Sequence, residues 1–229
     1  MVSRDEQVQI GGGFGVPEVL VQSGTHLVEV ATTNVTTRSD CLSAFSERMT
    51  LILSVHRSNF AVPGLTSTPS IQELAEIKPG DVLLCVYQQP GVTEESLPGE
   101  IPVRSHIRGG ADLVCFFDDK ISGGPQACII VCRRDLIEAL ERHPLMRVFR
   151  PGKTVSSLLE SVSTCRLNGI NTMVFSVLTV TIEEMRSQDR VTVVPSTMTT
   201  ESRYRSTGRH SSYQTAVVYD PRRLMSCTL

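Results

Sequence analysis

The chain has 229 residues, 40% of them hydrophobic, enough to bury a core in one large domain, which excludes a wholly disordered polypeptide. Its 22 basic and 24 acidic residues leave a formal charge of −2, so no overall positive field recruits nucleic acid or an anionic membrane, and any polyanion contact has to be local. Seven cysteines without a framework spacing argue for reduced thiols rather than a disulfide scaffold, and no apolar run approaches the roughly 18 residues of a membrane helix, so the expectation is a soluble, cytoplasmic protein without a secretory leader.

In chain order, the first candidate is "IGGGFGVPEVL", with Gly11, Gly12, Gly13 and Gly15. No strand of convincing length precedes it, no Gly-Lys-Ser/Thr follows, and Pro17 sits where a phosphate-binding helix would begin. It therefore reads as a flexible entry to a helix over 17–23. Apolar runs then recur at 26–31, 49–55, 81–87, 111–117 and 126–132, with the length and branched content of buried strands. Between and after them, "SIQELAEI" (70–77), "RRDLIEALERH" (133–143) and "KTVSSLLESVSTCRL" (153–167) read as helices, the second with apolar residues 136, 137 and 140 on one face. Strands alternating with helices predict an α/β layer with a largely parallel sheet.

From about residue 168 the pattern changes. The stretch 179–195 reads as a helix followed by a strand of a smaller unit, and 196–215, rich in Ser, Thr and Arg, as loop or poorly ordered tail. Arg203, Arg205, Arg209 and His210 with Tyr204 and Tyr213 are read as a solvated tail in preference to an RNA patch. Cys128 and Cys132 lack a second pair or a well-spaced histidine, so no metal site is assigned.

The informative stretch is "ADLVCFFDDKISGGPQACIIV" (111–131), which sets Lys120 in the loop after a strand, beside Gly123 and Gly124. A lysine so placed can form a Schiff base with a carbonyl compound, and the glycines permit close ligand approach. The wording around it resembles the bacterial selenocysteine synthases, the L-seryl-tRNA(Sec) selenium transferases, in which an Asp-Lys before a Gly-Gly-Pro-Gln turn carries the lysine that binds pyridoxal phosphate. "LVEVATTNVT" (27–36), "VHRSNF" (55–60) and "GGGFGVPEVLVQSGTHLVEV" (11–30) are similar to further family segments in the same order, so the resemblance covers about residues 3–165.

The resemblance implies the large-domain fold of the fold-type I pyridoxal-phosphate transferases, shortened at its N-terminus. Residues 1–167 would be the partial cofactor domain and 168–229 a partial small domain with the tail. It implies Lys120 and its neighbour Asp119 as catalytic residues, and Lys120, Asn59 and His56 against the cofactor. Arg147, Arg150, Thr32 and Thr33 would be substrate- or anion-binding positions, some reaching a neighbouring subunit. The implied partners are seryl-tRNA(Sec), a selenium donor such as selenophosphate, and further copies of the chain in a homo-oligomer, with no membrane or DNA. The implied reaction replaces the seryl hydroxyl with selenium.

Five departures stand out. Gln88 and Gln89 occupy the place of an acidic pair whose carboxylate keeps the cofactor's ring nitrogen protonated, with Glu94 or Glu95 as nearby compensating acids. Phe117 and Asp118 replace Ser and Gly, and Cys128 and Cys132 replace glycines. The segment between Tyr87 and Lys120 is short, and the family's N-terminal tRNA-binding domain and cofactor-phosphate loop have no counterpart. These departures leave a second reading, a non-catalytic remnant or paralogue acting as an interaction partner.

Overall fold

The computed structural model describes residues 1–10, 13–58, 60–92, 97, 99–178 and 216–219. Among them, the strands are β1 (Val2–Ser3), β2 (Gln9–Ile10), β3 (Phe14–Gly15), β4 (Glu29–Val30), β5 (Leu51–Val55), β6 (Leu83–Pro90), β7 (Leu113–Phe117), β8 (Cys128–Cys132) and β9 (Ala216–Tyr219). The helices are α1 (Val16–Gln22), α2 (Arg38–Ala44), α3 (Ile71–Ile77), α4 (Val103–Arg108), α5 (Arg134–Arg142), α6 (Met146–Phe149), α7 (Lys153–Leu167) and α8 (Met173–Leu178). Seven strands form one sheet in the order β4-β1-β5-β6-β7-β8-β9, and β2 pairs with β3 as a separate antiparallel hairpin. Neighbours are parallel from β4 to β7, β8 is antiparallel to β7, and β9 is parallel to β8. The expected largely parallel α/β layer is therefore present.

Burial explains the pattern. Central β6 is buried at six of its eight positions, as a parallel strand covered on both faces requires, which is why its apolar residues run together instead of alternating. On one side Met1, Val30, Cys41, Ile52, Leu74 and Leu84 join α2 and α3 to the sheet; Val86, Val103, Val114 and Phe116 pack under α4. Val2, Val8, Val16 and Val55 close the α1 side. Each fully buried Val or Leu of this kind stabilises the fold by roughly 1.5–3 kcal/mol relative to an exposed one. Capping boxes start α2 and α3: Thr37 and Asp40, and Ser70 and Glu73, satisfy each other's otherwise unpaired N–H groups. Asp112 ties the lower ends of the strands together, accepting from Leu84 N–H at 2.8 Å and pairing with Lys78 at 3.1 Å and Arg133 at 3.0 Å.

The five expected strands all form, the first as only Glu29–Val30, and the four helices read from the sequence form within two residues of their expected ends. The elements not read are β1, the β2–β3 hairpin, α2, α4, α6, α8 and β9. Residues 179–195 and 196–215 lie outside the described residues. No helix among the described residues is long and apolar enough to cross a membrane.

Candidate active site

Three parallel strands, β5, β6 and β7, end side by side, and in open α/β sheets ligands are bound outside such carboxyl ends. The residues at these ends are His56 to Ser58 after β5, Gln88 to Gly91 at the end of β6, and Asp118 to Lys120 after β7. The first two groups are laced together. His56 N–H donates to Tyr87 O at 2.9 Å, Gln89 Nε2 donates to His56 O at 3.4 Å, and Ser58 Oγ donates to Gln89 Oε1 at 2.9 Å. These bonds hold a bulge in β6 between Tyr87 and Gln89, where Gln89 takes a left-handed φ of 62° that a non-glycine residue adopts only under such constraint. Gln88 is 1% exposed; its Nε2 donates to Ile101 O, and its Oε1 has no hydrogen-bond partner.

Lys120 follows β7 in a turn built by glycine. Gly123 has φ 70°, Gly124 N–H donates to Asp118 O at 3.0 Å, and a β-carbon on Gly124 would overlap Asp118 Oδ2. Ser122 Oγ donates to Gly91 O at 3.2 Å, tying this turn to the end of β6. The turn leaves Asp119 and Lys120 exposed, with Lys120 Nζ 5.6 Å from the centre of the buried Phe117 ring. Phe117 meets Tyr87 edge to face at 5.9 Å. Burial pushes the Asp118 carboxyl above its ordinary range, opposed by the Ser122 hydroxyl and reinforced by Asp119; Asp118 Oδ2 has no hydrogen-bond partner.

The other expected site residues are spread out. His56 lies at the end of β5 as described, while Asn59, Glu94 and Glu95 lie outside the described residues. Arg147 is in α6 and Arg150 directly follows it, both exposed. Thr32 and Thr33 follow β4, four strands from β7 in the sheet order, roughly 19 Å away at ordinary strand spacing, so within one chain they do not join Lys120. Thr32 Oγ1 is engaged in its own turn, donating to Val35 O at 2.9 Å. Cys128 and Cys132 stand at opposite ends of β8, roughly 13 Å apart at strand rise, too far to share an ion. No group of three or more metal-ligating side chains occurs among the described residues.

Two groups were not read from the sequence. Glu100 Oε2 lies 3.2 Å from His56 Nε2. Beside β5, the side chain of Asp5 is wholly buried, pairs with Arg57 at 3.2 Å, and accepts from Thr68 Oγ1 at 2.8 Å. Its neighbour Glu6 accepts from Ser54 Oγ at 2.9 Å and lines a small cavity with Ser3, Thr36, Cys41 and Thr68. Both groups are assembled by long-range contacts, and nothing in local spacing signals them.

The architecture has known counterparts. A solved structure of D-glucosaminate-6-phosphate ammonia-lyase superposes on 81% of this chain and 46% of its own, with a TM-score of 0.62 and 22% identity, which speaks for the fold. The chain shares the α/β fold of that lyase, a mostly parallel sheet with helices packed on it.

The family model SelA: L-seryl-tRNA selenium transferase matches residues 1–203, and the chain belongs to that family. An L-seryl-tRNA(Sec) selenium transferase of Actinobacillus pleuropneumoniae serotype 7 (strain AP76) is 42% identical over 166 residues, 70% of this chain and 36% of that relative. Another, from Haemophilus influenzae (strain ATCC 51907 / DSM 11121 / KW20 / Rd), is 39% identical over 174 residues, 73% of this chain and 38% of that relative. The chain thus spans little more than a third of these relatives' length.

Proposed function

We propose that this chain is the lysine-bearing part of a pyridoxal-phosphate site for converting seryl-tRNA(Sec) to selenocysteinyl-tRNA(Sec), with Lys120 as the amine that holds the cofactor. The observation that carries the reading is the presentation of Lys120 on a glycine turn at the carboxyl end of β7, beside the end of β6. The residues fit the group at two points. Lys120 offers an exposed primary amine, and Gln88 Oε1 is a buried acceptor without a partner at the adjacent strand end. What the end of β6 lacks is a charge, since an amide accepts a hydrogen bond but cannot hold the ring-nitrogen proton as a carboxylate does.

In this reading Lys120 and Asp119 would be the catalytic residues, and Lys120, His56 and Asn59 would bind the cofactor. Arg147 and Arg150 pair with the anionic selenium donor through their forked guanidinium groups. Thr32 and Thr33, far along the sheet from Lys120, serve a second subunit of a homo-oligomer. When bound, the cofactor supplies the electron sink that lets the seryl hydroxyl leave and selenium enter. Residues 1–167 form the cofactor-domain part and 168–229 the second part, whose β9 returns to the first part's sheet. The protein works in the cytoplasm.

A second reading is favoured by one observation, the two buried amides where a charge is needed: the chain is then a non-catalytic paralogue or an interaction partner. Titration with pyridoxal phosphate tests the first reading. Wild type should develop an absorbance band near the visible edge that Lys120→Ala lacks, and absence of the band from wild type would overturn it. Binding without selenocysteinyl-tRNA(Sec) formation from seryl-tRNA(Sec) and selenophosphate would decide for the second.

A further inference from the structure

Glu100, just ahead of α4, sets its carboxylate against the ring of His56 at the end of β5. Glu100 Oε2 and His56 Nε2 are 3.2 Å apart, their side chains are 20% and 26% exposed, and neither atom has a hydrogen-bond partner. A buried carboxylate oxygen or imidazole nitrogen left without compensation is costly, so the 3.2 Å contact between them is what offsets the burial of both.

The His56 backbone is fixed separately. Its N–H is bound to Tyr87 O and its carbonyl to Gln89 Nε2, and Gln89 itself is held at φ 62° by Ser58. Backbone strain of this kind persists where surrounding contacts over-determine it, typically at ligand sites. With the main chain pinned, the remaining freedom of His56 is rotation of its ring, and Glu100 removes it. The other charged neighbours do not compete for that role. Arg57 turns toward Asp5, and His106 on α4 is a buried base whose pKa is pushed down by burial and by the charge of His56.

We infer that Glu100 is the positioning residue of His56, fixing the orientation of the imidazole and keeping its proton on Nε2, so that the ring presents one set face at the carboxyl ends of β5 and β6. A carboxylate only accepts hydrogen bonds, so the nitrogen facing it is the protonated one. The inference rests on the reading of Lys120 as the cofactor lysine, which makes the pyridoxal-phosphate ring the ligand that His56 faces.

The test uses the full chain with ¹⁵N-labelled histidine, His56→Asn to assign the ring resonances, and pyridoxal phosphate as the probe. Glu100→Gln should move the His56 ring-nitrogen resonances and weaken pyridoxal-phosphate uptake about tenfold, as the ring loses the carboxylate that sets its orientation. Glu100→Asp should recover part of both. Unchanged His56 resonances in a folded Glu100→Gln protein would overturn the inference, as would equal pyridoxal-phosphate uptake by that variant and wild type. If wild type takes up none, the cofactor reading falls, and the resonances alone decide whether Glu100 sets the ring.

Discussion

Gly124 and Asp118 share one small space: the glycine's missing side chain is what admits the buried carboxylate, and a β-carbon there would overlap Asp118 Oδ2. The turn that presents Lys120 therefore depends on a glycine and an acid fitting together. Gly124→Ala should destabilise the fold by about 1–3 kcal/mol, the usual result of overpacking. Asp118→Ala combined with Gly124→Ala should recover most of that loss, a coupling read by chemical denaturation of the single and double variants.

Glu6 gives the fold a pH dependence. Burial pushes its carboxyl up to about 7 from an ordinary 4.5; the charge of Asp5 adds to this, while the Ser54 hydroxyl, the Val55 backbone and Arg57 oppose it. An acid with a raised folded-state pKa binds its proton more tightly when folded. Its contribution is therefore most favourable below pH 4.5, falls as pH rises to about 7, and is level above that. The fall is roughly 3 kcal/mol. Thermal unfolding followed from pH 4.5 to 8 should show it, and Glu6→Gln should flatten that segment of the profile.

Gln88→Glu places an acid of the same shape at the end of β6. The variant loses the Nε2 donation to Ile101 O, so without ligand it should be less stable than wild type by about 1–3 kcal/mol. Added pyridoxal phosphate should raise its melting temperature by more than it raises that of wild type, because the new carboxylate gains a partner in the ring nitrogen.

Ser70 caps α3, accepting from Glu73 N–H at 3.2 Å. Ser70→Ala should lower stability by about 1 kcal/mol without altering the far-UV spectrum or the reactivity of Lys120.

What the sequence made legible was whatever is settled locally. The runs that form β5 to β8 are apolar enough to declare themselves, α7 begins after Pro151-Gly152 and stops at Asn168-Gly169, and the Lys120 turn is announced by two glycines. Other features depend on distant partners. The opening "MVSRDEQVQI" is polar, yet Met1, Val2, Asp5 and Glu6 are all buried, because Arg57, Thr68 and Ser54 arrive from more than 45 residues away to satisfy the acids. Glu100 sits in a stretch without periodicity and gains meaning only where the loop meets His56. Nor does a run of residues disclose its place in a sheet, so the distance of Thr32 and Thr33 from Lys120 had to come from the strand order.

The most direct measurement is to incubate the full chain with pyridoxal phosphate, reduce with borohydride, and map the modified peptide by mass spectrometry. The account predicts one pyridoxyl group, on Lys120, at near-stoichiometric yield and at ligand concentrations that leave Lys78 and Lys153 unmodified. Labelling spread evenly over the lysines, or absent from Lys120, would contradict it.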